Sequence, residues 1–129
     1  MSGETILVVD DNVLNLKLVC VLLTVEGYEV RTASSAEEAV AVLRSFRPSA
    51  ILMDLQLPGM DGLELTRQLR TDARTRDTVI VALTAYAMKG DARRAFDAGC
   101  DGYISKPIDT RALPATIARF IRRRKEGRT

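Results

Sequence analysis

The chain has 129 residues, of which 47% are apolar, so it can form one globular domain with a real core but not a second. Its formal net charge of +2 excludes a polyanion mimic and a general nucleic-acid binder, and no stretch approaches the roughly 18 apolar residues that span a bilayer. It contains no histidine, which excludes a Ser-His-Asp triad, a histidine-ligated zinc and a histidine proton shuttle. We therefore expect one cytoplasmic domain that binds neither membrane nor nucleic acid directly.

The first half of the chain alternates β-branched runs with helical periods. The continuous apolar run Thr5–Val9 predicts a strand that is buried on both faces of a parallel sheet. Apolar residues at helical spacing predict a helix over Val13–Val25. The alternating segment Glu29–Ala33 predicts a more exposed strand, and a capping box that starts at Ser35 predicts a helix to about Phe46.

The second half of the chain repeats this alternation three times. Proline lacks a backbone N–H, so Pro114 prevents the sequence from fixing where the first turn of the last helix lies. Five βα units in a row imply right-handed crossovers and an α/β fold, a doubly wound parallel sheet with helices on both faces. The predicted strands are Ala50–Met53, Val79–Leu83 and Gly102–Ser105, and the predicted helices start near Asp61, cover about Asp91–Ala98 and start near Asp109.

Polar residues stand at the carboxyl ends of these predicted strands. Asp10 and Asp11 follow the first strand, and Asp54 follows the third. Thr84 and Lys106 follow the fourth and the fifth. Ligands of doubly wound sheets bind outside the carboxyl ends of the strands, where the strand order reverses. The pattern therefore predicts that three carboxylates, a hydroxyl and an ammonium group meet in one crevice.

This set of side chains is suited to phosphoryl transfer. Carboxylates that lie together raise one another's pKa, and an all-oxygen cluster favours a hard divalent ion such as Mg²⁺. Asp54 stands alone at its strand end and is the candidate nucleophile. Lys106 and Thr84 supply a positive charge and a hydroxyl donor for phosphoryl oxygens. Positioning and charge neutralisation are most of what phosphoryl transfer requires.

Each of these residues, taken alone, also has a structural explanation. Asp10 and Asp11 could cap the following helix, and Thr84 could form a turn. Lys106 could be a solvated surface cation, and Tyr103 could be ordinary packing in a strand. Their joint occurrence at successive strand ends favours the functional interpretation.

The ordered set of motifs resembles the receiver domain of two-component response regulators over essentially the whole chain. The motifs are Asp10-Asp11 after VV, LMDLQLPGMDG around Asp54, LTA at Thr84, and YISKP, which ends at Pro107. The segments TAYAMKGD and GCDGYISKPI are most similar to stand-alone regulators and to receivers of hybrid histidine kinases. The resemblance implies a flavodoxin-like (βα)5 fold with strand order 2-1-3-4-5, and a single receiver domain over residues 1–129 without an output domain.

The resemblance also implies roles for the acidic residues. Asp54 would be the phosphoacceptor. Asp11 and Asp54 would bind Mg²⁺ directly, with Mn²⁺ as an alternative ion, and Asp10 would act largely through water. Gln56 would offer its backbone carbonyl to the metal. Gln56 and Tyr86 would also tune the lifetime of the phosphate, with Tyr86 shielding it.

For the switch, the resemblance implies that Thr84 and Lys106 move toward the new phosphoryl group. Tyr103 would then turn inward as the aromatic switch residue. The peptide bond before Pro107 would be cis. The face formed by the fourth helix, fifth strand and fifth helix would change its affinity for a downstream protein.

The phosphoryl donor must be external, because the chain has no histidine of its own. The resemblance implies a sensor histidine kinase or a histidine phosphotransfer protein. The chain would then be a switch, not an enzyme, that catalyses only its own phosphoryl transfer and dephosphorylation. The basic segment Arg119–Lys125 is better explained by core contacts and the helix dipole than by DNA binding.

Three alternatives stay open at this stage. The chain could be a receiver excised from a hybrid histidine kinase. It could be a Mg²⁺-dependent phosphohydrolase, although such enzymes carry Asp-x-Asp-x-Thr at the nucleophile, whereas LQLP follows Asp54. It could be a degenerate receiver that serves as a scaffold, which would predict an eroded acidic site.

Overall fold

Strands and helices alternate along the chain in the structure, a computed structural model that describes residues 4–57, 62–84 and 91–127. The strands are β1 (Thr5–Val9), β2 (Glu29–Ala33), β3 (Ala50–Asp54), β4 (Val79–Thr84) and β5 (Gly102–Ser105). The helices are α1 (Val13–Val25), α2 (Ala36–Leu43), α3 (Gly62–Thr71), α4 (Asp91–Ala98) and α5 (Leu113–Gly127).

Two helix ends differ from the sequence-based prediction. Helix α2 ends at Leu43, and the residues up to Phe46 form a turn closed by backbone bonds to Ala41 and Val42. Helix α5 begins at Leu113, after a turn whose N–H groups bond to Asp109. Pro114 therefore lies in the first turn of α5, where no helical partner exists for its missing N–H.

All five strands are parallel, in the order β2-β1-β3-β4-β5, as predicted. Alternate strand residues point to opposite faces of the sheet. Leu7 and Ile51 pack with apolar residues of α2, α3 and α4 on one face. Ile6 and Leu52 pack with residues of α1 and α5 on the other. Because helices cover both faces of the sheet, polar side chains can meet at the ends of the strands. The strand order reverses between β1 and β3, which is where ligands of such sheets bind.

Helix α1 is apolar on its outer face as well as on its inner one. Leu14 is 76% exposed and Val25 is 77% exposed, with Leu18 and Val21 between them on the same side. The inner face buries Val19 and Leu23. In the described part of the chain, no helix is long and apolar enough to cross a membrane.

Candidate functional site

Asp10 lies at the end of β1 and is buried, with 1% of its surface exposed. Its backbone N–H bonds to the carbonyl of Ala33, which continues the β1–β2 ladder one residue beyond the strand. The Asp10 Oδ1 atom accepts the backbone N–H of Asn12 at 2.9 Å, and Oδ2 accepts Asn15 Nδ2 at 3.3 Å. Asn12 is also the N-cap of α1. The start of α1 and the carboxylate of Asp10 are therefore one hydrogen-bonded unit.

Asp54 is the last residue of β3, the central strand, and it is 3% exposed. Val9 pairs with Met53 in the sheet, so Asp10 and Asp54 end neighbouring strands at the same level. The Asp54 Oδ1 atom accepts the backbone N–H of Gln56 at 2.9 Å. The two carboxylates thus face the same crevice from adjacent strands.

Lys106 reaches both carboxylates from the end of β5. Its Nζ atom lies 3.1 Å from Asp54 Oδ2 and 3.5 Å from Asp10 Oδ2. The backbone N–H of Lys106 donates to the carbonyl of Thr84 at 2.8 Å, which joins the ends of β4 and β5. Thr84 itself is buried, and the Lys106–Pro107 peptide bond is cis. Three predicted strand ends therefore meet around one ammonium group.

The pKa values at the site show competition between burial and charge. The pKa of Asp54 is raised, and burial is the largest cause. The hydrogen bond from the Gln56 N–H and the hydrogen bond and charge of Lys106 lower this pKa, whereas the charge of Asp10 raises it. Burial alone would lower the pKa of Lys106, but the hydrogen bond and charge of Asp54 and the charge of Asp10 outweigh it. The pKa of Lys106 is therefore raised, so its ammonium form is stable beside the carboxylates.

The predicted acidic cluster is brought together. Asp10, Asp11 and Asp54 each offer a carboxylate oxygen within 4.8 Å of the other two, and Asp11 is exposed at the mouth of the crevice. In the part of the chain that the structure describes, Lys106 is the cation that contacts this cluster, through Asp10 and Asp54. Gln56, two residues after Asp54, is exposed, and its backbone N–H is turned to that carboxylate. The donors are all oxygen atoms, a set that suits a hard divalent cation.

One described residue of the prediction, Tyr103, stands apart from this cluster. Tyr103 on β5 is 39% exposed and packs edge-to-face against Phe96 of α4, with ring centroids 6.3 Å apart. Tyr86, predicted to shield the phosphate, lies outside the described residues. The site described by the structure is therefore Asp10, Asp11, Asp54 and Lys106, with Thr84 and Gln56 beside them.

Two residues at the site were missed by sequence reasoning. Gly62, the first residue of α3, packs against the strand end, and a Cβ there would overlap the Asp54 carbonyl oxygen and lie 2.9 Å from Leu55 Cα. Asn15 bonds to Asp10 from the first turn of α1. The only sequence signals were a glycine at a helix start and a polar residue among apolar ones, and neither is specific.

Most of the chain matches the model of a single protein family. The model of the response regulator receiver domain matches residues 6–118. The polar-differentiation response regulator DivK of Brucella anthropi is 42% identical over 118 residues, which cover 92% of this chain and 96% of that protein. A DivK of Brucella ovis is 42% identical over the same lengths.

Solved structures agree with this match. A receiver domain protein described as CheY-like, from Methanospirillum hungatei, superposes with a TM-score of 0.89 at 30% identity, covering 98% of this chain and 99% of its own. The receiver domain of a sensor histidine kinase from Pseudomonas aeruginosa has a TM-score of 0.84 at 36% identity, covering 93% and 98%. That crystal structure has a magnesium ion coordinated in the active-site cleft.

Proposed function

Because the chain belongs to the response regulator receiver domain family, we propose that it is a phosphorylation-activated switch that accepts a phosphoryl group on Asp54. The observation that carries the proposal is the environment of Asp54. Its carboxylate is buried at the end of the central strand, with the ammonium group of Lys106 3.1 Å from one oxygen. This is a nucleophile with a counter-charge already in place.

The transfer exchanges one bond to phosphorus for another. A carboxylate oxygen of Asp54 attacks the phosphorus of a phosphohistidine, the P–N bond breaks, and its electron pair returns to the donor's imidazole. The product is an acyl phosphate on Asp54. Attack requires the ionised carboxylate, and the Gln56 N–H and Lys106 both oppose the effect of burial by lowering the pKa of Asp54.

Mg²⁺ fits the carboxylates of the crevice, and Mn²⁺ is an alternative ion. Asp11 and Asp54 would bind it directly, Asp10 largely through water, and Gln56 through its backbone carbonyl. Two observations support this: the described residues bring three carboxylates together with one ammonium group, and a related receiver domain holds magnesium in its cleft. Bound Mg²⁺ would neutralise charge on the phosphoryl oxygens. Lys106 then holds one of those oxygens and the Thr84 hydroxyl another.

The switch follows from the added charge. A phosphoryl group brings nearly two negative units to Asp54, which draws Lys106 and Thr84 toward it. The bond between the Lys106 N–H and the Thr84 carbonyl means that this movement involves the ends of both β4 and β5. Tyr103 lies three residues before Lys106 on β5 and would turn inward. The result is a shift between two conformations that differ in their affinity for a partner.

The donor would be a phosphohistidine on a sensor histidine kinase or a histidine phosphotransfer protein, and that histidine must lie outside these 129 residues, which contain none. Such a donor must cover the mouth of the crevice, where Asp11 is exposed. The exposed apolar row of α1 starts at Leu14, three residues beyond Asp11, and runs to Val25. It therefore offers an apolar contact surface that is continuous with the site.

The output is contact with a downstream protein through the face of α4, β5 and α5. Phe96 and Tyr103 present exposed aromatic rings on this face. Aromatic residues are enriched at the core of protein interfaces. A change in the orientation of Tyr103 would alter that surface directly, which links the phosphorylated crevice to partner choice.

A second candidate is a receiver that works inside a hybrid histidine kinase. The observation that favours it is the 36% identical solved receiver, which comes from a sensor histidine kinase. In that arrangement the phosphoryl group reaches Asp54 within one polypeptide. The chemistry at Asp54 is the same for both candidates.

The test is phosphorylation with acetyl phosphate and Mg²⁺. We expect an acid-stable, hydroxylamine-labile phosphate on the wild-type protein and none on Asp54→Asn. The matched control is Asp97→Asn, since Asp97 is an exposed aspartate on α4, and it should be labelled like the wild type. An unlabelled wild type, or a label that survives Asp54→Asn, contradicts the proposal.

A further inference from the structure

Asn15 directs its side chain at the acidic site instead of at solvent. It lies in the first turn of α1, is half-buried, and its Nδ2 atom is 3.3 Å from Asp10 Oδ2. Capping does not account for this side chain, because the cap of α1 is Asn12. The Asn12 Oδ1 atom accepts the backbone N–H of Asn15 at 3.0 Å, a bond that any residue at position 15 would make.

The contacts of Asp10 indicate what the amide of Asn15 contributes. Its Oδ1 atom is held by the N–H of Asn12 at 2.9 Å, and its Oδ2 atom faces Asn15 and the ammonium group of Lys106 at 3.5 Å. Lys106 is closer to Asp54, at 3.1 Å. Without Asn15, the Oδ2 atom of Asp10 keeps only this longer and shared contact with Lys106 among the bonds that the described residues make.

The neutral amide has an electrostatic advantage at this position. A cation at residue 15 would compete with a divalent ion for Asp10, and a carboxylate would add repulsion to a cluster that is already acidic. An amide donor fixes the direction of the Asp10 carboxylate without changing the charge of the cluster. It therefore holds Asp10 in place while leaving the negative charge available to a metal.

We propose that Asn15 is a positioning residue for the metal site, which acts by holding the carboxylate of Asp10. This inference rests on the proposed function, since it concerns the same crevice. Groups that orient metal-binding carboxylates commonly contribute a factor of about 10–100 to metal affinity. We expect the low end of that range, because Lys106 and the N–H of Asn12 continue to hold Asp10.

The test compares Asn15→Leu, which keeps the approximate shape but removes the donor, with the wild type. Mg²⁺ binding is measured directly by titration of backbone amide signals in NMR spectra. Labelling by acetyl phosphate is measured over a range of Mg²⁺ concentrations. We expect a Mg²⁺ dissociation constant about tenfold higher, the same shift in the Mg²⁺ dependence of labelling, and an unchanged rate at saturating Mg²⁺.

The control is Lys17→Leu, an exposed position on the same helix, which should leave Mg²⁺ binding unchanged. Asn15→Ala is a second variant, to be used if leucine at residue 15 disturbs folding. It also removes the side-chain donor and keeps the bond from the backbone N–H of residue 15 to Asn12. A wild-type dissociation constant in a folded variant, or a rate that is lower at every Mg²⁺ concentration, overturns the inference. If the wild type itself binds no Mg²⁺ or takes no label, the proposed function fails instead.

Discussion

The two ends of the sheet each carry a cluster of charged residues, and the clusters differ in how their charges are satisfied. At the amino end, Asp101 precedes β5 and accepts Arg70 Nη2 and Arg124 Nη1, each at 2.9 Å. Its Oδ2 atom also accepts the backbone N–H of Ile80. At the carboxyl end, Asp10 and Asp54 both lie near the ammonium group of Lys106, and the carboxylate of Asp11 joins theirs without a recorded contact to a cation among the described residues.

The amino-end cluster is complete within the chain. Arg70 donates to the carbonyls of Gly99, Arg76 and Thr78 as well as to Asp101, so α3, the loop before β4 and the start of β5 are held by one guanidinium. The carboxylate of Asp101 is thus already paired with cationic groups of the chain itself. Among the described residues, the carboxyl-end cluster has three carboxylates and one ammonium group, an excess of negative charge that is unfavourable until a cation binds. The two clusters therefore differ in charge balance, and not in burial alone.

Removing Arg70 should produce the largest loss of stability. Arg70→Leu removes the guanidinium donor of the Gly99 and Thr78 carbonyls, together with the contact of Arg70 with Asp101. We expect a loss of about 2–4 kcal/mol in the free energy of unfolding. Urea denaturation measures it. The control is Arg74→Leu, because Arg74 and Asp72 form an exposed pair and should contribute less than about 1 kcal/mol. Equal losses in both variants would contradict the assignment of a structural cluster.

Adding Mg²⁺ should stabilise the protein through the carboxyl-end cluster alone. At about a hundred times the dissociation constant, a ligand of the folded state adds about 2.7 kcal/mol. We expect this gain in the wild type and in Arg70→Leu, but a much smaller gain in Asp54→Ala, which loses a carboxylate of the cluster. Thermal unfolding with and without Mg²⁺ measures it. A full gain in Asp54→Ala would show that Mg²⁺ binds elsewhere.

The smallest predicted effect is the change in the free energy of unfolding with pH when no metal is present. It is small because the Gln56 N–H and Lys106 oppose the effect of burial on the pKa of Asp54. The pKa of Asp54 is raised above its ordinary value of 3.8, so the folded state holds this proton more tightly than the unfolded chain. The stabilisation that comes from this proton is complete below the ordinary pKa of Asp54. It is lost as the pH rises through the pKa that Asp54 has in the folded protein.

Asp54→Asn removes this titration. The variant should be more stable than the wild type near neutral pH, and the difference should decrease as pH falls to about 4. Urea denaturation across this range measures it. A difference that is independent of pH would mean that Asp54 has no raised pKa in the folded protein.

Most of the fold could be predicted because local patterns specify it. The runs Thr5–Val9 and Gly102–Ser105 and the helix Val13–Val25 have the predicted bounds. The helix predicted to about Phe46 ends three residues earlier, at Leu43, since a turn replaces its last residues. Periodicity did not reveal the exposed row on α1, because that helix is apolar on nearly every side.

The site could be predicted only in part, for a related reason. The positions of Asp10, Asp54 and Lys106 follow from strand ends, which are visible in the chain. The bond from Asn15 and the close approach of Gly62 depend on how α1 and α3 lie against those strand ends. No short-range pattern records that arrangement.

The sequence by itself determined which residue types stand at the carboxyl ends of parallel strands. Tertiary structure decided which charges balance each other. The cluster around Asp101 joins residues that are 31 and 23 positions apart from it, and Lys106 reaches Asp54 across 52 positions. Electrostatic energy depends on distance in space, and only the folded chain sets that distance.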